Sequence, residues 1–114
     1  MYRIMIVEDD EVIARAVQQS LVSWGMDAFC VQDFSSVLAE FAVKNPQLVL
    51  MDIHLPFFNG FHWCQEIRKV SKVPVIFLSS ASDNMNIIMA VNMGGDDFIA
   101  KPFDLSVLTA KVQA

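Results

Sequence analysis

The chain has 114 residues, a formal net charge of −5, and is 54% hydrophobic but only 18% charged. That length suits one domain with a real core, and that composition excludes a disordered chain. The acidic balance excludes an electrostatic footprint for nucleic acid and favours cations or basic partner surfaces. No apolar run approaches the roughly 18 residues of a membrane span, and the N-terminus lacks a signal-peptide pattern, so a cytoplasmic domain with no membrane contact is expected. Cys30 and Cys64 lie in apolar segments and are expected to be reduced, packed thiols.

In chain order, Arg3 to Val7 is a short apolar run that predicts a first strand, ending at Glu8-Asp9-Asp10-Glu11. From Val12 to Trp24 the apolar residues Ile13, Ala16, Val17, Leu21 and Trp24 follow helical spacing, with Gly25 as the stop. Asp27 to Val31 predicts a second strand at the sheet edge. Ser35 to Val43 predicts a helix with Val37, Leu38, Phe41 and Ala42 facing inward, stopped by Asn45-Pro46. Leu48 to Asp52 is four apolar residues ending in one carboxylate, the pattern of a strand buried on both faces. The loop after it is punctuated by Pro56 and closed by Asn59-Gly60. Phe61 to Val70 predicts a third helix. Val73 to Leu78 predicts a fourth strand, with Pro74 tolerated near its start. After the loop Ser79 to Asp83, Asn86 to Met93 predicts a fourth helix closed by Gly94-Gly95. Phe98 to Ala100 predicts a fifth strand, and Asp104 an N-cap for a final helix that runs to Ala114. Five strand–helix units predict an α/β fold with a doubly wound parallel sheet and right-handed crossovers.

Polar residues fall directly after the apolar strands. Glu8 and Asp9 follow the first, Asp52 the third, Ser79 the fourth and Lys101 the fifth. In a parallel sheet all carboxyl ends share one edge, where open α/β sheets place their ligand crevices, so these residues converge. Three neighbouring carboxylates need an offsetting charge to stay ionised, and Mg²⁺ supplies it with oxygen ligands and waters. Lys101 adds a point charge and Ser79 a hydroxyl for phosphoryl oxygens, while Asp52 is a competent nucleophile toward phosphorus. Taken singly, each has a plain structural explanation. Acidic residues suit a helix N-terminus, Ser79 suits a turn, and Lys101 and His54 suit a solvated loop. The pattern of one group per strand end carries the functional reading.

Ile4-Met5-Ile6-Val7-Glu8-Asp9-Asp10, Leu48-Val49-Leu50-Met51-Asp52, Leu55-Pro56, Asn59-Gly60, Pro74-Val75-Ile76-Phe77-Leu78-Ser79 and Lys101-Pro102-Phe103 together resemble bacterial response-regulator receiver domains across the whole chain. The resemblance implies a flavodoxin-like (βα)5 fold with strand order 2-1-3-4-5. It implies that Asp52 accepts a phosphoryl group from a sensor histidine kinase. Glu8, Asp9, Asp52 and the backbone carbonyl of His54 would hold Mg²⁺, and Ser79 and Lys101 would contact the phosphoryl oxygens. Such a domain is a signalling phosphoacceptor, taking part in its own phosphorylation and dephosphorylation rather than acting as an enzyme on a substrate. Gly94-Gly95-Asp96-Asp97-Phe98 further resembles the OmpR/PhoB class, and the stretch from Asp83-Asn84-Met85-Asn86 resembles regulators responding to bacitracin and other envelope-active peptides. In that class a receiver precedes a winged-helix DNA-binding domain, which would lie outside this chain.

The resemblance also implies a switch from Ser79 to Phe98, whose ring turns inward on activation, and kinase docking on the first helix at Ile13 and Ala16. It implies a homodimer through the fourth helix, fifth strand and fifth helix. There the usual charged pairs fall at Ile87 with Val107 and at Asn92 with Gln113, all uncharged here, while Asp97 and Lys111 keep a third pair. Three other readings compete. A haloacid-dehalogenase-like phosphatase wants a second acid two residues after its nucleophile, where this chain has His54. A flavodoxin-like cofactor binder wants a phosphate-cradling loop after the first strand, where this chain has Glu8-Asp9-Asp10. A pseudo-receiver that is never phosphorylated does not need Glu8, Asp9, Asp52, Ser79 and Lys101 together.

Overall fold

A computed structural model describes residues 2–79, 94–101 and 104–113, with Ser79 described by its backbone alone. Five parallel strands form one sheet: β1 (Arg3–Val7), β2 (Asp27–Cys30), β3 (Leu48–Asp52), β4 (Val75–Ser79) and β5 (Asp97–Ala100), in the order β2-β1-β3-β4-β5. The described helices are α1 (Glu11–Ser23), α2 (Val37–Lys44), α3 (Gly60–Arg68) and a C-terminal helix, Leu105–Gln113. The expected helix at Asn86 to Met93, with Ile87 and Asn92, lies outside the described residues, as do Pro102 and Phe103.

Alternation along the strands splits the core in two. Met5, Val7, Val49, Met51, Val75 and Phe77 point to one face, where α2 and α3 bury Val37, Phe41, Phe61, Cys64 and Ile67 against them. Ile4, Ile6, Leu48, Leu50, Ile76, Leu78 and Ile99 point to the other, under Ala14, Val17 and Leu21 of α1 and Leu108 and Val112 of the C-terminal helix. Every residue of β3 is buried, so its apolar run is the pattern of a strand covered on both faces. Each fully buried Leu or Ile contributes about 1.5–3 kcal/mol, which makes the centre of this sheet a rigid platform for whatever its ends carry.

Helix ends follow local chemistry. Asp10 caps α1 by accepting from Val12 N and Ile13 N, so the helix starts at Glu11, one residue earlier than the spacing predicts. Trp24 is its C-cap and is 62% exposed, not inward, because the buried stripe ends at Leu21. Ala42 is likewise exposed: the fully buried stripe of the eight-residue α2 spans only the turn from Val37 to Phe41. Asn45 ends α2, where the Asn-Pro stop predicts an end, and does so in the left-handed conformation. Asn59 caps α3 through His62 N, which makes Gly60 the first helical residue. Asp104 accepts from Ser106 N at the start of the C-terminal helix, as expected. Cys30 is half-buried and Cys64 buried, and burial pushes each thiol pKa up.

One cluster ties the amino ends of β4 and β5 to α3. The Arg68 guanidinium donates to Gly94 O through Nε (3.0 Å) and a terminal nitrogen (2.7 Å), to Val73 O, and to Asp96 Oδ2 at 3.0 Å. Asp96 Oδ2 also accepts from Val75 N, while Asp96 N donates to Val75 O. Gly94 has φ +88, and a Cβ there would press on the Arg68 side chain at 3.1 Å, so glycine suits both the backbone and the approach.

Candidate functional site

At the opposite, carboxyl edge the strand ends converge as their spacing predicts. Glu8 directly follows β1, Asp52 is the last residue of β3, and Lys101 directly follows β5. Glu8 and Asp52 are 3% and 4% exposed, while Asp9 faces solvent. Ligand oxygens of Glu8, Asp9 and Asp52 all lie within 4.8 Å of one another. Lys101 Nζ forms an ion pair with Glu8 Oε1 and sits 3.5 Å from Asp52 Oδ2. Glu8 Oε2 accepts from Asp10 N at 3.3 Å, which fixes the side chain under the start of α1.

The charges are unbalanced. Three carboxylates face one ammonium, so the cluster carries a surplus of negative charge in a poorly hydrated place. Burial, together with the neighbouring Asp52 carboxyl, pushes the Glu8 pKa up despite the Lys101 ammonium. For Lys101 burial works against the charged form, but the Glu8 and Asp52 carboxylates outweigh it and raise the pKa. Lys101 is therefore firmly an ammonium. A divalent cation that favours oxygen ligands fits this donor set: three carboxylates, two of them buried, with the exposed Asp9 leaving a side open to water.

Backbone geometry brings the loop after β3 against the same edge. Gly60 N donates to Ile53 O at 2.9 Å and closes the neck of the loop. A Cβ on Gly60 would lie 2.2 Å from the carbonyl oxygen of Asp52, so no larger residue fits without moving the backbone of the Asp52 carboxylate. Asn59-Gly60 is legible in the sequence as a turn, but this close approach to Asp52 is not. His54 has an exposed side chain on this loop.

Ser79 pairs with Ala100 at the end of β4, which sets its backbone at the carboxyl edge beside β5. Phe98 is half-buried against the core cluster that contains Met5, Val7 and Phe77, and stands opposite Phe77 in the register. On α1, Ile13 and Ala16 are both half-buried, at the margin of the core stripe. Asp97 and Lys111 pair within the one chain at 2.9 Å, Val107 is 49% exposed, and Gln113 is exposed.

Residues 4–113 match the response regulator receiver domain family. The chain is 46% identical over 114 residues, all of its length, to the sensory transduction protein BceR of Bacillus subtilis (strain 168), covering 49% of that protein. It is 40% identical over 112 residues to the response regulator protein GraR of Staphylococcus haemolyticus, covering 98% of this chain and 50% of that one. Among solved structures it superposes on the N-terminal domain of the nisin resistance regulator NsrR, described as a lantibiotic response regulator. That match has a TM-score of 0.90 and 48% identity and covers 99% of this chain and 96% of that one. It also superposes on DrrB, a Thermotoga maritima OmpR/PhoB homologue, with a TM-score of 0.90 and 27% identity, covering 99% of this chain and 51% of that one. The chain spans about half the length of the curated relatives it matches. It belongs to the response regulator receiver domains, of the OmpR/PhoB type.

Proposed function

We propose that the domain is a cation-dependent phosphoacceptor in which Asp52 takes a phosphoryl group from the phosphohistidine of a sensor kinase. The observation that supports this reading is the cluster of Glu8, Asp9 and Asp52 oxygens within 4.8 Å, with the Lys101 ammonium beside Asp52. An Asp52 carboxylate oxygen attacks phosphorus, the phosphorus–nitrogen bond breaks, and the imidazole of the donor leaves with that electron pair. Glu8, Asp9, Asp52 and the His54 carbonyl would hold Mg²⁺, which would supply positive charge to offset that of the phosphoryl group. Lys101 supplies a fixed positive charge to the phosphoryl oxygens, and Ser79 a hydroxyl donor. The acyl phosphate adds about −1.5 to −2 charge to an edge that already has an excess, so labelling requires a divalent cation. The domain turns over no substrate of its own, and it works in the cytoplasm, where the kinase presents its phosphohistidine.

Downstream, Ser79 closes on the phosphoryl group and Phe98 turns into the space it leaves. This would reshape the face to which β5 and the C-terminal helix contribute. Two copies then join through that face, with Ile87 against Val107 and Asn92 against Gln113 in place of charged pairs. Asp97 and Lys111, already paired on one chain, are exchanged or shared across the twofold. DNA is reached only through a winged-helix half, such as longer regulators of this class carry. Incubation with acetyl phosphate and Mg²⁺, followed by mass spectrometry, tests the chemistry. A base-labile phosphoryl adduct on Asp52 is expected, lost with EDTA and absent in Asp52→Asn. Labelling that persists in that variant moves the acceptor elsewhere.

A further inference from the structure

Two adjacent phenylalanines in the loop after β3 have opposite fates. Phe58 is tied down: its ring stacks on His62 at 4.3 Å and meets Trp63 edge-on at 5.6 Å. Phe57 is 76% exposed, the most exposed aromatic residue described, and has φ +69. Among the described residues only Asn45 shares a positive φ without being glycine. Asn45 is a helix C-cap of a type that tolerates this conformation. Phe57 has no such reason, since a bulky side chain is strained there and its ring gains nothing from the core. The neck of the loop is closed between Ile53 and Gly60, which holds its tip close to the strand end that carries Asp52.

The site dictates what must come near that tip. Asp52 is only 4% exposed, so a protein donor has to lower a side chain to it and close its surface over the rim. β1 and β3 are neighbours, so their following segments flank one mouth. On one side, α1 opens with Val12, 79% exposed, and the half-buried Ile13, on the face of the sheet that α1 covers. On the other side is Phe57, in the loop leading to α3 on the opposite face. The geometry points to Phe57 as an apolar anchor for the phosphodonor protein, which presents apolar side chains around its phosphohistidine. Those side chains grip the mouth on both sides, over Phe57 and over Val12 and Ile13. This rests on the reading of Asp52 as the acceptor. An exposed aromatic ring on a short closed loop is the kind of residue that dominates an interface, since a loop already closed gives up little backbone freedom when it docks.

The test separates docking from chemistry. Autophosphorylated cytoplasmic portions of sensor kinases from the source organism are screened on the parent domain, and the fastest donor is kept. Phe57→Gly relieves the backbone strain, and Phe57→Leu keeps apolar bulk. Labelling of Asp52 by acetyl phosphate is expected to match the parent in both variants. Transfer from the kinase is expected to fall about tenfold or more in kcat/KM for Phe57→Gly, chiefly through KM, and much less for Phe57→Leu. Unchanged kinase transfer overturns the proposal. So does an equal loss with acetyl phosphate, which makes Phe57 a support of the site. A faster loss of the phosphoryl group with unaltered transfer also overturns it, by making Phe57 a cover over the acyl phosphate. A parent labelled by acetyl phosphate but by no kinase removes the docking role and leaves the acceptor chemistry standing. A parent labelled by neither removes both.

Discussion

Arg68 and Lys101 are both half-buried cations, held at opposite edges of one parallel sheet. At the amino edge, Arg68 spreads its donors over two carbonyls and the Asp96 carboxylate, and Asp96 in turn holds β4 through Val75. Each group there has an opposite or complementary partner. At the carboxyl edge, Lys101 faces three carboxylates and cannot neutralise them. The two clusters show one fold using buried charge in two ways. Complete pairing fixes chain segments that are distant in sequence, and deliberate imbalance leaves an edge that is favourable only when positive charge is added.

The comparison breaks most sharply at Arg68. Arg68→Met keeps the aliphatic stem but takes the Arg68 donors from Gly94 O and Val73 O and leaves Asp96 with Val75 N, and a loss of about 2–3 kcal/mol is expected. A lower urea midpoint with an unchanged m-value is the measurement. Acetyl phosphate labelling of the folded fraction should stay intact; if it falls in step, the two edges are not independent.

Asp52→Asn sharpens the comparison because the opposite sign is expected. With one of three repelling carboxylates gone and Lys101 still held by Glu8, the cation-free domain should gain about 1 kcal/mol. Added Mg²⁺ should stabilise the parent more than the variant, as thermal melting with and without EDTA would show. A variant less stable than the parent in EDTA would mean that the acidic cluster is not strained.

The smallest effect belongs to the exposed pair of Asp97 and Lys111. Burial raises the Asp97 pKa, but the hydrogen bond from Lys111 and that from Phe98 N outweigh it, and the net shift is downward. A depressed folded pKa contributes stability that is present above the ordinary value near 3.8 and lost as the pH falls through the folded value. Both side chains are more than a third exposed, so solvent screens the pair. Lys111→Met should cost only about 0.3 kcal/mol at neutral pH. The difference should vanish in acid and in concentrated salt. A difference that persists once Asp97 is protonated would assign it to packing of the lysine stem.

What was legible in the sequence follows the range of each interaction. Leu48 to Met51 read as a doubly covered strand because burial on both faces removes alternation. The acidic site read clearly because a parallel sheet turns chain order into spatial convergence, so Glu8, Asp52 and Lys101 needed no knowledge of packing. Arg68 and Asp96 did not read at all. Each is an ordinary charged residue 28 positions from its partner, and only the finished fold brings them together. Trp24 and Ala42 were misplaced because helical spacing identifies a face but not where that face runs off the sheet. The backbone of Phe57 was hidden because phenylalanine carries no signature of the left-handed conformation.

The two tryptophans give this molecule an optical readout that needs no attached dye. Trp63 is 5% exposed, edge-on to Phe58 and to His62 at 5.6 and 4.9 Å, and its indole Nε1 has no hydrogen-bond partner among the described residues. An indole in such surroundings fluoresces at the blue end of its range. Trp24, 62% exposed at the far end of α1, emits in the red, as in water. Displacement of the Phe57-Phe58 loop therefore appears as a change in the blue component over a steady red one, and the colour balance of a single spectrum follows that loop in real time.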